Sequence, residues 1–207
     1  VQLKVPLDFL AVSDHSEYLG VLLRMYDPSD PLSNHPLAQE VTSSGNDVTK
    51  ATKVFYKLVS ETIQPDGSIK ADPVLADPAL KRTIWDQYIQ ITDSYNEPGK
   101  FTTLVAYEWS SQPNMSNLHR NVIFRDNASK AGVTVPYTTM QPLGSDNPVD
   151  LWKWMAGYET KTGGNVLAIA HNGNLSNGRM FPTVEAFGKP VDRAYAENRA
   201  KWERLYE

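Results

Sequence analysis

Cysteine is absent from the 207 residues. That excludes disulfides, a thiol nucleophile and zinc-thiolate sites, so any metal ion has to be held by His, Asp and Glu. The absence is compatible with a cytoplasmic protein and suits an exported one, whose thiols would otherwise oxidise. Localisation stays open, with a periplasmic or secreted protein the reading it favours. No apolar run approaches the ~18 residues of a membrane-spanning helix. The opening VQLKVPLDFL has neither a basic n-region nor a small-residue cleavage site, so neither a membrane partner nor a targeting segment is expected. Positive charge is in deficit, 20 Lys and Arg against 24 Asp and Glu for a net charge of −4. The basic residues form no cluster, which argues against bulk nucleic acid as a partner. The Gly-x-Ser-x-Gly elbow of a Ser-His-Asp hydrolase is missing too. So are repeats and low-complexity tracts, and the 14 prolines are scattered, which makes one domain over residues 1–207 the simplest division.

What is present suffices for a real core, with 41% hydrophobic and 10% aromatic residues. FLAV at 9–12 reads as a buried parallel strand that stops at Ser13, Asp14 and His15. MYDPSDPLSNHPLAQEV (25–41), rich in Pro, Asp, Ser and Asn, reads as a long surface loop inserted after that strand. A helix over roughly 47–63 puts Val48, Ala51, Phe55, Leu58 and Val59 on one face, with Asn46 or Asp47 as cap. A second, over roughly 78–95, has Asp77 as cap and Pro78 at its first position, with Leu80, Ile84, Tyr88 and Ile91 on one stripe. FTTLVAYEW (101–109), NVIF (121–124) and NVLAIAHN (165–172) read as strands. A helix starts at Pro148 behind Asn147, and the C-terminus from about 191 to 206 reads as helical. This alternation predicts an α/β architecture with mainly parallel pairing.

Three of the four histidines lie at the ends of these strands: His15 after FLAV, His119 before NVIF and His171 after NVLAIA. Glu108 closes the 101–109 strand. An acid at the end of an apolar run is costly to bury unpaired, and a metal ion is one cation that would meet it. Three imidazoles and a carboxylate suit zinc, manganese or iron rather than calcium, although a purely structural reading stays open. Arg120, next to His119, offers a charge to an anionic substrate. His35, with no strand beside it, reads as a solvent-exposed loop histidine. The tryptophans at 85, 109, 152, 154 and 202 read as core, Trp109 being the one placed to line a pocket beside Glu108. Asn114, Asn127 and Asn174 each begin an Asn-x-Ser sequon, and a glycan on Asn174 would crowd the candidate site.

The SDH after an apolar strand, the AYEW strand end, LHRN and the AHN ending the 165–172 strand occur in that order. In this the chain resembles the middle motifs of the polymerase and histidinol phosphatase (PHP) superfamily. More narrowly, DFLAVSDHSEYLG followed by a Pro-rich loop resembles a bacterial branch described only as a domain of unknown function. The resemblance implies a distorted (β/α)7-type barrel with up to three divalent transition metal ions, zinc, manganese or iron, at the carboxyl ends of its strands. Position by position, His15, Glu108, His119 and His171 match metal ligands, and Asp14 matches an acid that orients its neighbour, although it also reads as a simple turn cap. Asn172 has no assigned role. The superfamily's opening His-x-His and closing Asp-x-His have no counterpart here. The barrel is therefore expected to be incomplete at both ends, with other segments of the same polypeptide needed to finish it.

The activity implied is hydrolysis of phosphoric esters, with a metal-held hydroxide as nucleophile and a small-molecule or phosphoester substrate. Hydrolysis of a carboxylic ester or amide on the same site is one alternative. A PHP-like module that has lost the full metal cluster, and with it catalysis, is the other.

Overall fold

The structure, a computed structural model, describes residues 3–62, 64 and 70–207. Its elements run β1 (Phe9–Ala11), α1 (Val21–Arg24), α2 (Ala38–Ser44), α3 (Val48–Thr62), α4 (Pro78–Ser94), β2 (Thr102–Leu104), β3 (Ala106–Trp109), β4 (Arg120–Phe124), α5 (Ala128–Ala131), α6 (Pro148–Thr162), β5 (Val166–Ala170), β6 (Glu185–Ala186), β7 (Lys189–Pro190), α7 (Arg193–Trp202) and β8 (Leu205–Tyr206). The fold is mixed α/β. Ile63, the expected end of the 47–63 helix, and the side chain of Val59 lie outside the described residues.

Capping explains several of the helix boundaries. Asp77 accepts the Leu80 N–H at 2.8 Å with Pro78 at the first helical position, Asn147 accepts from Val149 at 3.0 Å ahead of Pro148, and Asp192 accepts from Tyr195 at 2.8 Å. Each such cap contributes about 1 kcal/mol. No described helix is long and apolar enough to cross a membrane.

The main strands form a mixed sheet rather than a mainly parallel one, and β6 and β7 pair apart from it as an antiparallel hairpin. β1 runs parallel to β2 and β5 parallel to β8, but β4 is antiparallel to both β3 and β5. The cause is the β3–β4 connection. It holds only a 3-10 turn at Pro113–Met115, too little chain for a helical crossover, so β4 returns antiparallel. β2 and β3 are one strand interrupted at Val105, and a bridge between His15 and Glu108 carries the β1 pairing on into β3. The spatial order is thus β1, β2/β3, β4, β5, β8. Among the described residues these strands do not close into a barrel.

Side chains alternate across this sheet. One face carries Val105, Tyr107, Trp109, Val122, Phe124, Val166 and Ala168, packed under Trp85, Ile89, Leu151, Trp152, Met155 and Trp202 of α4, α6 and α7. The other carries Leu104, Ile123, Leu167 and Ile169, all half-buried, and no helix covers it among the described residues. The expectation of a buried first strand does not hold: β1 is an edge, with Phe9 64% exposed and Leu10 41%.

Other elements depart from the pattern reading. Residues 25–41 are not a surface loop: Met25, Leu32, Leu37, Ala38 and Val41 are buried in a second core with Val54, Leu58, Leu75 and Ile84. On α3 Val54 and Leu58 are buried, while Val48, Ala51 and Phe55 face solvent. On α4 Ile84, Trp85 and Ile89 are buried and Ile91 is exposed. The C-terminal helix ends at Trp202, and the chain turns back into the sheet as β8.

Candidate metal centre

Strand direction decides which residues meet. β1, β3, β5 and β8 point one way and β4 the other, so the ends of the first four and the start of β4 share one edge of the sheet. His15, Glu108, His119 and His171 all lie on that edge. Alternation also puts them on one face, the uncovered one: His15 stands beside Glu108, Glu108 pairs with Asn121 two residues from His119, and His171 lies opposite His119 with its N–H donating to the His119 carbonyl at 3.1 Å.

One donor atom from each of His15, Glu108 and His119 lies within 4.8 Å of the other two. The His15 and His119 rings meet edge to face, centroids 5.7 Å apart. Each imidazole is anchored through Nδ1. His15 Nδ1 bonds Ser110 Oγ, whose hydroxyl reaches the Glu108 carbonyl at 3.4 Å; His119 Nδ1 donates to Glu108 Oε1 at 2.5 Å; His171 Nδ1 meets Glu207 Oε2 at 2.5 Å. Neither Ser110 nor Glu207 stands out in the sequence. Ser110 could have been found from its place two residues after Glu108, whereas Glu207 required the β8 pairing.

The Glu108 and His119 side chains are only 10% and 11% exposed. Burial pushes the Glu108 carboxyl up, but the hydrogen bond from His119 and the nearby His15, His119 and His171 outweigh it and hold it below the usual carboxylate range. Glu108 is therefore anionic at neutral pH. His119 Nε2 is buried and has no hydrogen-bond partner among the described residues. An orphaned buried nitrogen is costly, and a metal ion is a partner that would satisfy it. Imidazole nitrogen and carboxylate oxygen without sulfur fit zinc, manganese or iron(II).

The remaining candidates sit differently. Asp14 is exposed and helps hold the edge through its backbone, its carbonyl accepting the Glu108 N–H at 2.8 Å. Arg120, expected to face an anionic substrate, lies on the helix-covered face and is 1% exposed. Its Nε donates to Glu203 Oε1 at 3.0 Å, its Nη1 to the Leu118 carbonyl, and its guanidinium lies 5.9 Å from the Trp109 ring centroid. Trp109 itself is fully buried in the main core rather than lining a pocket. A cleft of about 720 Å³ opens beside Arg120, lined also by Leu118, Asn177, Arg179, Phe187 and Tyr195 among others. His35 is not loose in solvent: its side chain is 9% exposed, Nδ1 accepts the Leu37 N–H at 3.2 Å, and it lies outside the group of His15, Glu108 and His119.

A family described as "Protein of unknown function (DUF3604)" matches residues 1–207. The chain belongs to this family. Neither a curated protein nor a solved structure matches it. The DUF3604 family description carries no activity.

Proposed function

We propose that this chain is the metal-holding part of a divalent-metal-dependent hydrolase acting on phosphoric esters, built as an arc of a PHP-type barrel. The observation that carries the reading is the gathering of His15, Glu108 and His119 on one face at one edge, with His119 Nε2 buried and unpartnered. In this reading those three residues and His171 hold the ion, and Asp14 supports the edge. The uncovered face with Leu104, Ile123, Leu167 and Ile169 is the barrel interior, which other strands of the same polypeptide would cover. A bound divalent ion supplies Lewis acidity at phosphorus and a nucleophile at neutral pH.

The residues contribute separately. Glu108 stays ionised and brings negative charge to balance the cation. His15 and His119, anchored at Nδ1 by Ser110 and Glu108, leave Nε2 as the donor atom. Arg120 is committed to Glu203, so substrate charge has to be met by other groups.

A panel of chromogenic phosphate monoesters, phosphate diesters and carboxylic esters, run with zinc, manganese or iron(II), tests the assignment. Phosphoester cleavage that chelator removes and Glu108→Ala abolishes is expected. Cleavage confined to carboxylic esters would move the same site to the other substrate class. No cleavage by a metal-loaded protein of any ester would leave a binding module.

A further inference from the structure

Glu207 holds the outermost imidazole of the edge. β8 pairs with β5 so that Tyr206 stands opposite Ala170, and one residue later Glu207 lies beside His171, its N–H donating to the Ala170 carbonyl at 3.1 Å. Alternation then puts Glu207 and His171 on the same face. The strand end is held in place: the Tyr206 ring packs edge to face on Phe181 at 4.9 Å, and even a methyl group on Gly173 would come within 3.2 Å of the Tyr206 hydroxyl.

Two contacts fit one tautomer of the ring. Glu207 Oε2 lies 2.5 Å from Nδ1, and a carboxylate oxygen only accepts, so Nδ1 carries the hydrogen. With Asn172 Nδ2 facing Nε2 at 2.9 Å, the amide donates to the Nε2 lone pair of that same tautomer. We propose that Glu207 is a positioning residue that holds His171 in the Nδ1–H tautomer, presenting the Nε2 lone pair at the sheet edge that also carries His15, Glu108 and His119, although His171 lies outside the group those three form. The use of that lone pair rests on the proposed metal site; the tautomer does not. Asn172 is exposed, and no other side-chain hydrogen bond involving its amide is seen among the described residues, so an ion arriving at Nε2 displaces one weakly committed amide.

The test is nitrogen-15 NMR of the histidine rings in the metal-free protein at neutral pH, followed by zinc titration, for wild type, Glu207→Gln and Glu207→Ala. Wild type should show His171 as the Nδ1–H form. Glu207→Gln keeps an acceptor oxygen and should keep both the tautomer and most of the zinc affinity. Glu207→Ala should release the ring toward the Nε2–H form that an unconstrained histidine side chain favours and weaken zinc binding about 10- to 100-fold. An Nε2–H ring in wild type overturns the proposal. So does Glu207→Gln behaving like Glu207→Ala in zinc affinity, because charge or direct ligation would then be its role. A wild type that shows the Nδ1–H ring but takes up no zinc would sink the metal reading and leave the positioning role standing.

Discussion

Replacing either partner of the Arg120–Glu203 pair should unfold the protein at much lower temperature, and the two replacements should differ in a way the structure sets. Both side chains are 1% exposed and lie 3.0 Å apart. Removing one member of a buried pair strands the other charge, at a cost of about 3–5 kcal/mol. Glu203 also pairs with Arg199 at 3.1 Å and accepts the Trp152 Nε1–H at 2.9 Å. Arg120→Met leaves Glu203 those two partners and should fall near the low end, about 3 kcal/mol. Glu203→Leu leaves two guanidiniums without a counterion and should approach about 5 kcal/mol. For a protein of this size each kcal/mol moves Tm by about 2–4 °C, so the shifts should be about 6–12 °C and 10–20 °C. The double variant should lose less than the sum, because the charges it removes were each other's partners. Thermal and urea unfolding followed by circular dichroism at pH 7 measure this. An Arg120→Met protein that keeps its Tm while losing phosphoester cleavage would refute the structural role and return Arg120 to the substrate.

Two further outcomes are expected. Burial lowers the Lys81 ammonium to about 8, with Glu17 partly opposing it. Between pH 8 and about 10 the unfolded chain then holds a proton that the folded one has lost, so stability rises with pH across that window. Lys81→Met should remove that rise, and a wild-type-minus-variant stability difference flat from pH 7 to 10 would contradict it. At Gly144 an added Cβ would sit 1.7 Å from the Thr138 carbonyl oxygen, a backbone atom that cannot step aside cheaply. Gly144→Ala should therefore destabilise by at least about 1–3 kcal/mol in urea unfolding, whereas Gly157→Ala, with open space around it, should not.

Where a local rule has one physical cause, the sequence is read well. Asp77–Pro78 and Asn147–Pro148 announce their helices because a capping oxygen and a pre-set proline φ act within four residues. The edge positions of His15, Glu108, His119 and His171 are legible for a similar reason, since each follows or precedes an apolar run. Pairing direction is not legible, because it depends on how the whole β3–β4 connection folds, and neither is the edge exposure of FLAV, which depends on what lies next to it. The 25–41 segment misleads through its prolines and polar residues, while Met25, Leu32, Leu37 and Val41 are spaced to fill a core with α3 and α4. Arg120 and Glu207 show the limit most clearly. Parity across the sheet sends Arg120 away from His119 and brings Glu207 to His171, and that parity exists only once the strands are paired.

Metal content per chain, measured by mass spectrometry on purified wild type and Glu108→Ala, tests the central claim most directly. One or more equivalents of zinc, manganese or iron in wild type, reduced in Glu108→Ala while the variant stays folded, is the expected result. Metal-free wild type after incubation with each ion, or equal loading of both proteins, would mean that His15, Glu108 and His119 meet for structural reasons alone.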